Sequence, residues 1–189
     1  METFEAIKNR RSIRKYKPDN VPDELIEKVL EAARLAPSWS NVQGWKFIVV
    51  RSAELRSQLA DTVQAHPSLG TNPSTNAFRM APVVIVALAE KNKAGYFDNR
   101  PATDKGDAWY MLDIGIAMEN LVLAAADLGL GTVHVGLFDA AKVARLLDVP
   151  DSYHVVEMTP LGYPEFQPNP RPRKALTEIV YYDKFGRSK

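Results

Sequence analysis

The chain has 189 residues, 46% hydrophobic, 25% charged and 9% aromatic, which is enough for one sizeable core and short for two. Its 24 basic and 23 acidic residues leave a formal net charge of +1, which gives no reason to expect attraction of the whole protein to nucleic acid or an anionic membrane. Cysteine is absent, so disulfides, thiolate metal sites, iron–sulfur clusters and a cysteine nucleophile are excluded together, and redox work would need a bound carrier of electrons.

Residues 1–17 are charged and lack an apolar run, so no signal peptide is expected and a soluble cytoplasmic domain is the default reading. The spacing predicts a short helix over Thr3–Asn9 with Phe4 and Ile7 on one face. A second helix follows: Pro22 suits its first position, Asp23 and Glu24 suit the positive end of its dipole, and Leu25, Ile26, Val29, Leu30 and Ala33 form its apolar stripe before Pro37 stops it. Trp45–Val50 reads as a buried strand and 53–65 as a helix carrying Leu55, Leu59 and Val63. Residues 67–76 read as a polar loop, 82–89 as a continuous apolar strand, and 91–106 as a second long loop. The longest predicted helix spans 107–128 and stops at Gly129. The apolar stretch 114–130 contains Glu119, Asn120 and Asp127 and reads as a buried helix, not a membrane span. A strand over 132–136, a short helix capped by Asp139, a last core strand over 153–161, a Pro- and Arg-rich tail and an apolar patch over 176–182 complete the chain. No repeat interrupts this order. Alternation of helix and strand by itself favours an α/β layered domain and leaves strand direction open.

Chemistry-bearing residues fall in two places. Lys8, Arg10, Arg11, Arg14, Lys15 and Lys17 crowd the N-terminus, and Arg171, Arg173 and Lys174 the tail. They are either two solvated basic surfaces or, with Ser12, one phosphate cradle, because a guanidinium grips phosphate oxygens through paired hydrogen bonds. The junction 37–45 (PSWSNVQGW) offers Ser38, Ser40, Asn41 and Gln43 as polar groups and Trp39 and Trp45 as flat faces. Trp45 is expected to fill the core, while Asn41 and Gln43 read equally as turn or ligand residues. Gly129-Leu130-Gly131 follows a helix and is no dinucleotide fingerprint. His66, His134 and His154 are far apart without metal spacing, and the last two read as hydrogen-bonded structural groups. A nucleic-acid role for 8–17 would need aromatic residues among the charges, and Tyr16 stands alone there.

Several runs occur in an order that resembles the FMN-dependent nitroreductases across nearly the whole chain. They are Arg10-Arg11-Ser12-Ile13-Arg14, the 36–45 run, Ala81-Pro82 opening an apolar strand, Asn120-Leu121 through Leu128-Gly129-Leu130-Gly131, Leu161-Gly162-Tyr163-Pro164 and Arg171-Pro172-Arg173-Lys174. The resemblance implies a single α+β domain over 1–189, a mixed and largely antiparallel sheet surrounded by helices, in an intertwined homodimer with FMN at the subunit interface. It implies that Arg10, Arg11, Ser12, Arg171 and Arg173 hold the FMN phosphate and ribityl chain, with Arg14 near the pyrimidine edge. Pro37, Ser38, Trp39 and Asn41 would come from the other subunit against one flavin face, with Gln43 nearby. Leu161 and Gly162 would lie along the ring, with a backbone N–H toward its N5. The implied activity passes hydride from NADPH or NADH through FMN to a small electron-poor acceptor such as a nitroaromatic or quinone, in ping-pong order, and no side chain is singled out as catalytic acid or base. A flavin carrier or sensor, or a flavin-fragmenting or dehalogenating relative, is the alternative. Trp39 stands where many members have a small residue, Gly44 where Pro is common, and Leu161 where longer members carry an acid. The chain is short for the family, so the loops 67–76 and 91–106 are expected to cover the site, with Tyr96 or Phe97 as the lid residue.

Overall fold

A computed structural model describes residues 2–187. In chain order the elements are α1 (Thr3–Asn9), α2 (Asp23–Arg34), a 3-10 turn (Trp39–Asn41), β1 (Trp45–Val50), α3 (Ala53–Ala60), α4 (Thr75–Met80), β2 (Val83–Glu90), the hairpin strands β3 (Tyr96–Phe97) and β4 (Arg100–Pro101), a 3-10 turn (Gly106–Trp109), α5 (Tyr110–Asp127), β5 (Gly131–Thr132), α6 (Ala140–Leu146), β6 (Tyr153–Gly162) and α7 (Leu176–Ile179).

The order of the main sheet is β1-β2-β6-β5, and each neighbouring pair runs antiparallel. One parallel bridge, Ser12 with Thr132, adds the N-terminal segment at the β5 side and makes the sheet mixed. The fold is therefore α+β, as the family resemblance implied, and not the α/β layered domain that alternation by itself favoured. Helix and strand periods report which face is apolar and carry no information on strand direction.

β2 explains why its sequence is an unbroken apolar run. Successive strand residues face opposite sides, and both sides are covered here. Val83, Ile85, Ala87 and Ala89 join a core with Val29, Ala33, Met118 and Leu121 of α2 and α5. Val84, Val86 and Leu88 join a second core with Leu59 of α3, Phe78 of α4, Val143 of α6 and Met158 of β6. Trp45 packs in the first core, as its sequence position led us to expect. A helix as long and apolar as the one running from Gly106 to Asp127 could cross a bilayer by length and composition alone. Its Ile114, Ala117, Met118, Leu121, Val122 and Ala125 are instead buried in the domain, and Asn120 Nδ2 donates to the Ala32 carbonyl of α2 at 3.2 Å.

Four boundaries differ from the sequence expectation. The helix expected over 53–65 ends at Ala60, because Val63 leaves it to bridge Phe138 while the Asp139 N–H bonds the Thr62 carbonyl. The expected loop 67–76 gives way to α4 at Thr75, a helix too short to display a period. The loop 91–106 contains the β3–β4 hairpin, whose turn residues Asp98 and Asn99 have φ of 48° and 60°. Within 131–136, Gly131 and Thr132 alone enter the ladder, and Val135 makes one further bridge to Met158.

Candidate functional site

Two chain ends meet around Tyr16. Its ring is buried, and its hydroxyl lies 2.8 Å from the Ile13 carbonyl oxygen and 3.3 Å from that of Pro160. Burial pushes the phenol well above its ordinary pKa, so it stays a neutral donor. The Lys17 N–H donates to Tyr163 at 2.9 Å and the Glu165 N–H to Lys15 at 3.1 Å, so the tail runs antiparallel to residues 12–17. Gln167 Nε2 then reaches the Asn9 carbonyl at 2.8 Å. This stitching carries residues 168–173 back beside 7–14.

The result is a cavity of about 630 Å³ lined by the cations Lys8, Arg10, Arg11, Arg14, Arg171 and Arg173, with Asn9, Ser12 and Asn169. No Asp or Glu is in that lining. Lys8, Asn9 and Asn169 were not among the residues expected there; Lys8 was visible as part of the N-terminal charge run. Arg11 is turned partly to structural work, because its Nη1 donates to the Lys8 and Arg10 carbonyls at 2.6 and 2.8 Å and so closes the C-terminal end of α1. Its Nε is buried without a partner among the described residues. Arg14 Nε donates to Ser74 Oγ at 3.2 Å, which ties the cavity to the 67–76 segment through a residue the sequence did not single out.

The segment after α2 is a separate feature. Ser40, Asn41 and Gln43 have φ of 42°, 56° and 47°, left-handed values that cost on the order of 1–3 kcal/mol each for residues with a Cβ. Ser38 Oγ accepts the Gln43 N–H at 3.0 Å, and Gln43 Nε2 lies 3.3 Å from Asn41 Oδ1, so the polar residues of this run first serve their own turn. The Trp39 N–H lies 3.1 Å from each carboxylate oxygen of Asp113 in α5. Burial raises the Asp113 pKa, and this hydrogen bond opposes the rise. Sequence reasoning missed Asp113, whose one signal was an acid in the first turn of a largely apolar helix. Pro37, Ser38, Trp39, Asn41 and Gln43 are absent from the lining of the basic cavity of their own chain. Leu161 and Gly162 are absent from it too. The Leu161 side chain is fully buried in the first core, and Gly162 is enclosed by Pro82 and Tyr16.

The sequence profile of the nitroreductase family matches residues 7–163. This chain belongs to the nitroreductase family. A Methanothermobacter thermautotrophicus protein, by name alone an NADH dehydrogenase/NAD(P)H nitroreductase, is 34% identical over 175 residues, covering 90% of this chain and 82% of the relative. A nitroreductase family protein of Clostridium novyi NT superposes with a TM-score of 0.78 at 34% identity, covering 100% of this chain and 97% of its own. An FMN-dependent nitroreductase of Clostridium difficile R20291 superposes with a TM-score of 0.77 at 27% identity, covering 96% and 99%. The antiparallel core described above is thus the core of a nitroreductase family fold.

The histidines of this chain lie outside the lining of the basic cavity. His154 stacks on Tyr110 at 4.6 Å, and burial lowers its pKa. His134 bridges Glu157 at 2.5 Å and Glu119 at 3.3 Å. Hydrogen bonds to Glu119 and then to Glu157 raise its pKa from 6.5 to about 9, against desolvation. A raised pKa in the folded state contributes stability fully present below the unfolded value and lost as pH climbs through the folded one. The melting temperature is therefore expected to fall between pH 6.5 and about 9, and Glu157→Gln should flatten that fall. A variant whose melting profile keeps the parental slope would contradict the pairing.

Proposed function

We propose that this chain is an NAD(P)H-dependent FMN oxidoreductase that works as a homodimer on small electron-poor acceptors such as nitroaromatics and quinones. The observation that carries the reading is the cavity that both chain ends build, with six cationic side chains and no carboxylate. Like charges gathered this closely repel one another, and a bound dianion relieves that repulsion. The unpartnered Arg11 Nε adds a buried donor that still needs an acceptor. A flavin mononucleotide phosphate fits this donor set. Arg10, Arg11, Ser12, Arg171 and Arg173 would hold the phosphate and ribityl chain, and Arg14 would bring positive charge to the pyrimidine edge, where it favours electron uptake. The chemistry FMN supplies when bound is two-electron transfer, taking hydride from reduced nicotinamide and delivering it to the acceptor.

What one chain leaves open supports the homodimer. Pro37, Ser38, Trp39, Asn41 and Gln43 do not reach the basic cavity of their own chain, so a partner would present them. Apolar groups remain uncovered along the same molecule: Phe4 is 83% exposed, Met111 53%, Leu112 51%, Leu176 73% and Phe185 90%. Their exposure supports a partner that covers them, and the 176–182 segment would extend across that partner.

The test uses the purified protein. A yellow dimer by sedimentation, whose visible spectrum bleaches on anaerobic addition of NADH or NADPH and returns with a quinone, is the expected result. Parallel lines in a two-substrate kinetic plot are expected, since donor and acceptor would use one site in turn. Protein that stays colourless after refolding with excess FMN would overturn the proposal, and flavin that no nicotinamide reduces would favour the carrier reading.

A further inference from the structure

Trp39 is fixed from several sides at once. Its backbone N–H is held by both oxygens of Asp113, which is 5% exposed and stands in the first turn of α5, where the helix dipole favours a carboxylate. Its ring meets Trp109 edge to face at 4.9 Å between centroids and Phe97 at 5.5 Å. The hairpin that carries Phe97 is itself anchored. Gly95 has φ +83°, and a Cβ there would fall 2.8 Å from Trp109 Cβ, so only glycine lets the base of the hairpin lie on that ring. Two successive left-handed residues, Asp98 and Asn99, close the turn tightly beside Phe97. Phe97 is nevertheless 57% exposed, so it extends over Trp39 and does not fill the core.

A buried carboxylate is costly unless its oxygens are bonded, and the bond described for Asp113 goes to the segment that carries Trp39. Without it, the left-handed run at Ser40, Asn41 and Gln43 would have a route to relax and swing the indole. We propose that Asp113 is a positioning residue that locks Trp39, together with Phe97, into a fixed aromatic wall on which a flat aromatic electron acceptor stacks. The acceptor half of this inference rests on the FMN oxidoreductase reading; the tether half rests on the geometry of the chain alone. Offset and edge-to-face ring contacts are directional, so a wall held at one angle prefers planar aromatic acceptors over compact inorganic ones.

The experiment compares wild type with Asp113→Leu, Asp113→Asn and Phe97→Ala, all as purified with FMN. The Trp39–Trp109 pair is close enough for an exciton couplet in far-ultraviolet circular dichroism, and Trp109→Phe identifies that signal by removing it. Asp113→Leu is expected to lose the couplet while keeping its FMN, and Asp113→Asn, which keeps an acceptor oxygen, to retain it. In both Asp113→Leu and Phe97→Ala the KM for menadione should rise about tenfold relative to that for ferricyanide. Phe97→Ala alters an exposed hairpin side chain and keeps the acceptor arm decisive even if Asp113→Leu fails to fold. A couplet that persists in folded Asp113→Leu, or a menadione KM unchanged in Phe97→Ala, overturns the proposal. A wild-type protein that takes up no FMN overturns the flavin reading instead, and the couplet still decides the tether.

Discussion

Replacing Arg10 and Arg173 together with alanine is expected to give a folded, colourless protein. The two side chains come from opposite ends of the sequence and line one cavity. Each hydrogen bond from a guanidinium to a phosphate contributes about 1.5–3 kcal/mol. Losing both should weaken FMN by about 10²- to 10⁴-fold, enough for the flavin to leave during purification. The apo protein should melt no lower than apo wild type, since two of six like charges are removed from a cavity without a carboxylate. Absorbance in the visible and a thermal melt of the apo form check the two halves separately. A double variant that keeps stoichiometric flavin would show that the phosphate lies elsewhere.

The second large effect is steric. A Cβ at Gly162 would lie 2.6 Å from Pro82 Cδ and 3.1 Å from Tyr16 Cδ1. The proline ring has no rotamer to withdraw into, and Tyr16 anchors the whole N-terminal segment. Gly162→Ala should therefore cost about 3 kcal/mol, at the upper end of overpacking penalties. For a chain of this size that is a fall in melting temperature of roughly 6–12 °C. Gly136→Ala, whose Cβ would meet nothing within 4 Å, should leave the melt nearly unchanged. Because Pro82 must shift and Tyr16 must give way beside it, Gly162→Ala should also weaken FMN. Equal melts for the two variants would mean that the approach of Tyr16 and Pro82 is slack.

Much of the local structure was legible because its causes are local. Trp45–Val50 and the start of β2 follow from β-branched runs, α2 from its apolar stripe, and the stop after α5 from Gly129 at φ +75°. Asp139 caps α6 through the Lys142 N–H, as a side-chain oxygen before an apolar helix should. What failed was short or externally imposed. α4 has too few turns to display a period, and α3 stops early because Phe138, far along the chain, pairs with Val63. The residue types of the site were equally readable: arginines at both ends and a polar turn between α2 and β1. Their assembly was not. Asp113 was overlooked because an acid near a helix start carries no pattern of its own, and its role exists only once Trp39 is beside it.

The amino-acid order by itself therefore determined which stretches are helix or strand, which residues could grip a phosphate, and that electrons would need a borrowed carrier, since no thiol is encoded. The tertiary structure alone decided that every neighbouring pair in the main sheet is antiparallel, that Arg10 and Arg173 share a cavity, and that the Trp39 segment stands away from it. Propensity and periodicity act over a few residues. These outcomes depend on contacts between segments far apart in the chain, where Tyr16, Gly131 and Gly162 allow one backbone to lie against another.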